Sequence, residues 1–136
     1  MSNTLTKSII LAAPREKVWD YLTQPELLAK WFHAPKTAIT EGQKLEMFGV
    51  KSGDKLIWGN VRQARAPEYL EYTFTVGPMG DAVSVVKWTL ESVDAGTKLT
   101  LVHEGMPAGA DAAGLLMAID KGWDEHMGAM RAAIND

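Results

Sequence analysis

The most regular hydrophobic pattern of the chain lies in its last thirty residues. Apolar side chains recur there at steps of three and four, at Leu116, Ile119, Trp123, Met127, Met130 and Ile134. This spacing predicts a helix with one apolar face, which is not stable alone and must pack across another element. We expect Leu116 and Ile134 to anchor its ends. Gly122 is unfavourable in a helix, so something should pack closely against it.

A two-residue period dominates the middle of the chain. It is clearest over residues 69–76, where Leu70, Tyr72 and Phe74 alternate with polar residues. Such alternation predicts a strand with one buried and one exposed face, and Glu71 and Lys87 are expected on the exposed one. Similar patterns predict strands over residues 4–12, 44–50, 55–66, 82–93 and 97–103. Because the turns between the last five are short, these strands should be antiparallel neighbours.

Two short helices are predicted between the first strand and the other five. Pro14 and Pro25 suit the first turn of a helix, and the second helix is expected over residues 26–31. The whole order predicts an α+β fold, in which a curved antiparallel sheet wraps around the long C-terminal helix. No linker or repeat interrupts residues 1–136, so a single domain is expected.

The composition of the chain argues against several classes of function. The 136 residues contain no cysteine, which excludes disulfides and thiolate metal sites. The net charge of −3 without a clustered basic face argues against a nucleic-acid partner. No run of apolar residues is long enough for membrane insertion, and the N-terminus does not resemble a secretory signal. We therefore expect a cytoplasmic protein.

The polar residues do not form a familiar catalytic or metal-binding motif. His33, His103 and His126 are the only histidines, and none has a partner at the spacing of metal ligands on a helix. No nucleophile elbow or glycine-rich phosphate loop is present, and neither a metal nor a cofactor is expected. His33 and His103 remain candidates for acid–base catalysis, because histidine titrates near neutral pH.

Aromatic and methionine side chains on the predicted inward faces are better candidates for a site. A curved sheet that grips one helix leaves an apolar wedge, and such wedges commonly bind small molecules. Tyr72 and Trp88 would add a hydroxyl and an indole N–H to orient a ligand. The predicted ligand-binding residues are Trp31, Phe32, Tyr72, Phe74, Trp88, His103, Trp123, Met127 and Met130.

Several segments together resemble the START-like, or SRPBCC, superfamily, and more narrowly the family of homologues of the activator of heat-shock protein 90 ATPase. They are residues 12–19 (AAPREKVW), 27–32 (LLAKWF), 58–61 (WGNV), 67–74 (PEYLEYTF), 96–105 (GTKLTLVHEG) and Gly122-Trp123. The resemblance implies a helix-grip fold with a pocket between the sheet and the last helix. Such pockets hold an apolar or amphipathic small molecule in many relatives.

The resemblance leaves three functions open, because one fold serves many activities. The leading hypothesis is a small-molecule binding protein without catalysis. The second is an enzyme of the polyketide cyclase or hydrolase type that uses His33 or His103. The third is a co-chaperone in the stress response, although the namesake carries a further N-terminal domain for which this chain has no room. A homodimer through an exposed strand or Trp19 is also open.

Overall fold

The structure, a computed structural model, describes residues 3–135. It contains a curved six-stranded antiparallel sheet, two short helices and one long helix, which confirms the predicted α+β helix-grip fold. The sheet order is β1-β6-β5-β4-β3-β2. In chain order the elements are β1 (Asn3–Leu11), α1 (Arg15–Thr23), α2 (Pro25–Leu28), β2 (Lys44–Phe48), β3 (Lys55–Arg65), β4 (Tyr69–Val76), β5 (Ser84–Val93), β6 (Gly96–Met106) and α3 (Ala113–Asn135).

The hairpin between β5 and β6 fixes how the first strand joins the sheet. Gly96 has φ +139°, and a Cβ atom there would lie 2.2 Å from the carbonyl oxygen of Leu11, so only glycine fits. This close approach sets the pairing of β1 with β6, in which Leu11 lies opposite Thr97. Thr97 then donates its hydroxyl to the Ala13 carbonyl at 2.7 Å. The chain is thereby directed from β1 into α1.

The long helix α3 packs against the sheet through the predicted apolar face. Trp123, Met127, Met130 and Ile134 are buried in the core. At its N-terminal end Leu115 packs against the core, and Leu116, the predicted anchor, does not belong to this cluster. The prediction of Leu116 was wrong, because its neighbour Leu115 is the residue of this turn that packs against the core. No helix within residues 3–135 has the length and hydropathy to cross a membrane.

The helical region after β1 is shorter than predicted. Helix α2 ends at Leu28, whereas the pattern predicted residues 26–31. The next residues continue as turns, with the amides of Trp31 and Phe32 donating to the Leu28 carbonyl at 3.2 and 2.7 Å. The indole N–H of Trp31 donates to the Tyr21 carbonyl at 2.8 Å. These bonds hold both aromatic rings inside the molecule, beside α3.

Glu71 is buried, with 5% of its surface exposed, although the alternation of β4 predicted a solvent-facing side chain. It does point away from the core, but long neighbours on the outer face of the sheet cover it. The Tyr69 hydroxyl donates to its Oε1 at 2.5 Å, and Arg62 Nε pairs with its Oε2 at 3.0 Å. Burial of a carboxylate is tolerated here because both oxygens are bonded.

Candidate functional site

A cavity of about 150 Å³ lies between α3 and the sheet. One wall comes from α3, a second from β3 and β4, and a third from the turn that follows α2. Apart from two histidines, its lining is apolar. The lining residues are Phe32, His33, Leu56, Ile57, Phe74, Val76, Ile119, Gly122, Trp123 and His126.

Stacked aromatic rings make the inner wall of the cavity rigid. The ring of Phe32 stacks between Trp31 and Trp123, with centroid distances of 5.1 and 5.2 Å. Trp123 also meets the edge of Trp88 at 5.5 Å and lies 5.9 Å from Phe74. Offset and edge-to-face contacts of this kind add stability beyond the burial of area. The wall is therefore expected to keep its shape when the cavity is empty.

Gly122 forms the part of the wall that α3 contributes beside Trp123. A Cβ atom at this position would meet nothing within 4 Å. The prediction that something packs closely against Gly122 was therefore wrong, because the missing side chain leaves open space that belongs to the cavity. Gly128 of the same helix also has nothing within 4 Å of a Cβ atom, but it is exposed to solvent.

An apolar groove continues from the cavity along the N-terminal half of α3. Leu56, Val76 and Ile119 line both. Beyond them the groove is bordered by Lys55, Trp58, Gly77, Pro78, Leu115 and Ala118, and its volume is about 550 Å³. His126 and Leu115 are eleven residues apart on α3, which corresponds to about 16 Å along the helix. The histidines thus lie at one end of the combined space and the groove at the other.

His103 is fully buried, and both of its ring nitrogens are engaged. The indole N–H of Trp123 donates to Nδ1 at 2.9 Å. Nε2 must then carry the proton, and it donates to Ser84 Oγ at 2.7 Å. Ser84 in turn donates to the Phe74 carbonyl, also at 2.7 Å. Burial lowers the pKa of His103 to about 4. These hydrogen bonds hold His103 behind the aromatic wall of the cavity, in a structural role.

His33 and His126 lie together in the lining, with ring centroids 5.3 Å apart. Burial, and secondly the nearby His126, lower the pKa of His33. His126 Nδ1 lies 2.9 Å from the Trp31 carbonyl oxygen. Since a carbonyl only accepts, the proton is on Nδ1, and Nε2 of the neutral ring is an acceptor. The bond to the Trp31 carbonyl therefore fixes the orientation of this acceptor in the apolar lining.

The structure places the predicted ligand-binding residues in two layers. All are buried, but of the nine only Phe32, Phe74 and Trp123 line the cavity. Trp88 donates its indole N–H to the Tyr72 hydroxyl at 3.1 Å, and burial raises the pKa of Tyr72. These two polar groups are therefore paired with each other. The members of the layer behind the wall are Trp31, Tyr72, Trp88, His103, Met127 and Met130.

Sequence reasoning considered His126 only as a metal ligand, and so it missed this residue as a part of the lining. A signal was present, because His126 follows Gly122 by four residues and Trp123 by three, which places all three on one side of a helix. Within residues 3–135, no group of three or more metal-ligating side chains comes together. Two histidines in an apolar cavity can bind and orient a small molecule.

Comparison with solved structures supports the fold over nearly the whole chain. Protein MLL2253 from Mesorhizobium loti superposes with a TM-score of 0.85 at 23% identity, and the match covers 98% of this chain and 97% of that one. CV1439 from Chromobacterium violaceum gives 0.74 at 23% identity, with 98% and 99% covered. DynU16, from the dynemicin biosynthetic locus, gives 0.80 at 23% identity. The match covers 97% of this chain, which spans about half (47%) of DynU16.

Sequence comparison identifies the family. No curated protein matches the chain. The family model described as "Activator of Hsp90 ATPase homolog 1-like protein" matches residues 12–135, which include every element from α1 to α3. The resemblance seen in the sequence is confirmed, and the chain belongs to the family of Activator of Hsp90 ATPase homolog 1-like proteins.

Proposed function

We propose that this protein binds a small apolar or amphipathic molecule in the cavity between α3 and the sheet. The observation that carries the proposal is the open space of about 150 Å³ beside Gly122, bounded on its inner side by stacked aromatic rings. An apolar cavity of about this volume in another protein takes up benzene. One six-membered ring would therefore fit here, whereas a fused polycyclic molecule would not fit without rearrangement of the wall.

The groove extends the proposal from a ring to an amphipathic ligand. A chain attached to the bound ring can pass Leu56 and Ile119 and lie against Leu115 and Pro78. Burial of each methylene group contributes about 0.8 kcal/mol, or roughly fourfold in affinity. Binding should therefore tighten along the series toluene, ethylbenzene and n-butylbenzene. A ligand that binds only in the cavity would show no such trend.

Binding can be tested by titrating the protein with toluene while intrinsic tryptophan fluorescence is recorded. Trp123 lines the cavity and should report an occupied site. Gly122→Leu would extend a side chain into the open space and is expected to abolish the response. Gly128→Leu is the matched control, because it makes the same change on the exposed side of α3. Both substitutions should stabilise the helix by up to about 0.8 kcal/mol, since glycine is a poor helix former.

The two leucine variants separate loss of the cavity from loss of the fold. Thermal unfolding should show that both are at least as stable as the parent chain, while only Gly128→Leu still binds toluene. Equal binding by Gly122→Leu would refute the proposed location. If no member of the alkylbenzene series changes the signal of the parent chain, the proposal itself is wrong.

Acid–base catalysis on the bound molecule is a second candidate, and the position of His33 in the lining favours it. The lowered pKa of His33 means that the ring is neutral at pH 7 and able to accept a proton. His103 is a weaker candidate because both of its nitrogens are engaged. Turnover of a polyketide-like substrate that survives His33→Ala would remove this candidate. The chaperone function is supported by the family description alone, so we rank it third.

A further inference from the structure

The histidine pair gives the cavity a specific polarity. Of the ten residues in the lining, only His33, His126 and Trp123 carry side-chain hydrogen-bonding groups, and the Trp123 N–H is already bonded to His103. His126 is held by the Trp31 carbonyl through Nδ1. Its ring also meets the edge of Phe32 at 4.8 Å and that of His33 at 5.3 Å. Three contacts therefore fix the orientation of the His126 ring, and with it the position of its Nε2 acceptor.

We propose that the ligand is a hydroxylated aromatic ring, a phenol, whose hydroxyl group donates to Nε2 of His126. This inference rests on the proposed function and adds the chemical class of the ligand. The ring would occupy the space beside Gly122 and Trp123, and the hydroxyl would lie toward the histidines. A substituent opposite the hydroxyl would then point toward the groove, since the groove and the histidines lie at opposite ends of the space.

The charge of the site favours a neutral donor over an anion. A carboxylate would need a protonated imidazole as its partner, yet the pKa of His33 is lowered by burial and by the neighbouring His126. In the neutral form of His126 the proton lies on Nδ1, toward the Trp31 carbonyl, so Nε2 can only accept. A hydroxyl group satisfies this acceptor without any change of protonation.

Phenol and toluene form the decisive pair of probes, because they differ only by a hydroxyl in place of a methyl group. Burying a hydroxyl without a partner weakens affinity by about fivefold to a hundredfold. An apolar cavity without an acceptor would therefore strongly prefer toluene. If His126 accepts the bond, phenol should bind at least as tightly as toluene. Isothermal titration calorimetry at pH 7 on the full chain measures both affinities.

His126→Asn tests the acceptor directly. The asparagine side chain can still donate an N–H toward the Trp31 carbonyl, but it has no atom at the position of Nε2. We expect phenol to bind about tenfold or more weakly in this variant, with toluene unchanged within about twofold. His33→Asn distinguishes the two imidazoles of the lining, because a phenol bonded to His33 would lose its acceptor in this variant and not in His126→Asn.

Four results would overturn the inference. They are a tenfold preference of the parent chain for toluene, a phenol-to-toluene ratio that does not change in His126→Asn, a loss of phenol binding in His33→Asn alone, and binding of benzoate more tightly than phenol. In each of these cases toluene binding would still support the proposed function. Failure of both toluene and phenol to bind would overturn both proposals.

Discussion

Acidification should destabilise the protein through His103 in particular. Its pKa is about 4 in the folded chain, against an ordinary value of 6.5 that applies to the unfolded chain. Above pH 6.5 His103 is neutral in both the folded and the unfolded chain, so it adds no pH dependence to the stability. As the pH falls below 6.5, His103 binds a proton in the unfolded state but not in the folded state, so stability decreases. Each pH unit between the two pKa values costs roughly 1 kcal/mol, and below pH 4 the loss is complete at roughly 3 kcal/mol.

This loss is large because a domain of this kind is stabilised by only about 5–15 kcal/mol in total. Burial lowers the pKa of His103, and the hydrogen bonds around the ring also oppose its protonation. A proton on Nδ1 of His103 would face the indole N–H of Trp123, and two donors would then oppose each other in a buried site. Urea unfolding at pH 7.5, 6.0 and 5.0 measures the free energy of unfolding, and NMR titration of the histidine rings measures the pKa of His103 itself.

His103→Gln is the control for other titrating groups. Glutamine can accept from Trp123 and donate to Ser84, but it does not bind a proton in this range. The variant is expected to be less stable at pH 7.5 and to lose about 2 kcal/mol less than the parent chain between pH 6.5 and 5.0. Parallel pH profiles of the two proteins, or an NMR pKa of His103 near 6.5, would refute the reasoning.

Two further substitutions test polar groups that the fold buries. Ser84→Ala should lower the free energy of unfolding by about 1–3 kcal/mol in urea, because the Nε2–H of His103 loses its acceptor; an unchanged midpoint would show that water replaces the hydroxyl. Burial, and secondly the bond to Glu71, raise the pKa of Tyr69 to about 12. Glu71→Gln should therefore lower this pKa, as followed by NMR of the tyrosine ring, whereas a value that stays near 12 would assign the whole effect to burial.

The fold was predictable because its signals are local and repeated. Alternation located β4 at Tyr69–Val76, where the structure has it. The pattern within one strand does not show which side chains of a neighbouring strand cover an outward-facing residue. Glu71 was wrongly expected in solvent because Tyr69 lies two residues away on the same face and Arg62 comes from β3, and together they cover it.

The site was less predictable, because periodicity separates buried from exposed faces but does not divide the buried side chains into layers. Trp88 and Phe74 both fall on inward positions and both are buried, yet only Phe74 reaches the cavity. Which of them does so depends on the distance between α3 and each strand. That distance follows from the packing of the whole core, so it cannot be derived from the spacing of residues within one segment.

One stretch of α3 explains how this core leaves room for a ligand without losing its rigidity. Gly122 provides the space, and Trp123 bounds it. The indole of Trp123 is stacked on Phe32 and bonded to His103, so the wall next to the space is held from two sides. One turn later His126 lies in the lining, and the Trp31 carbonyl fixes the orientation of its ring. An empty cavity in a close-packed core gives up contacts between atoms. Here Phe32, Phe74 and Trp123 are held beside the space by contacts with other side chains, so the wall does not depend on a ligand for its position.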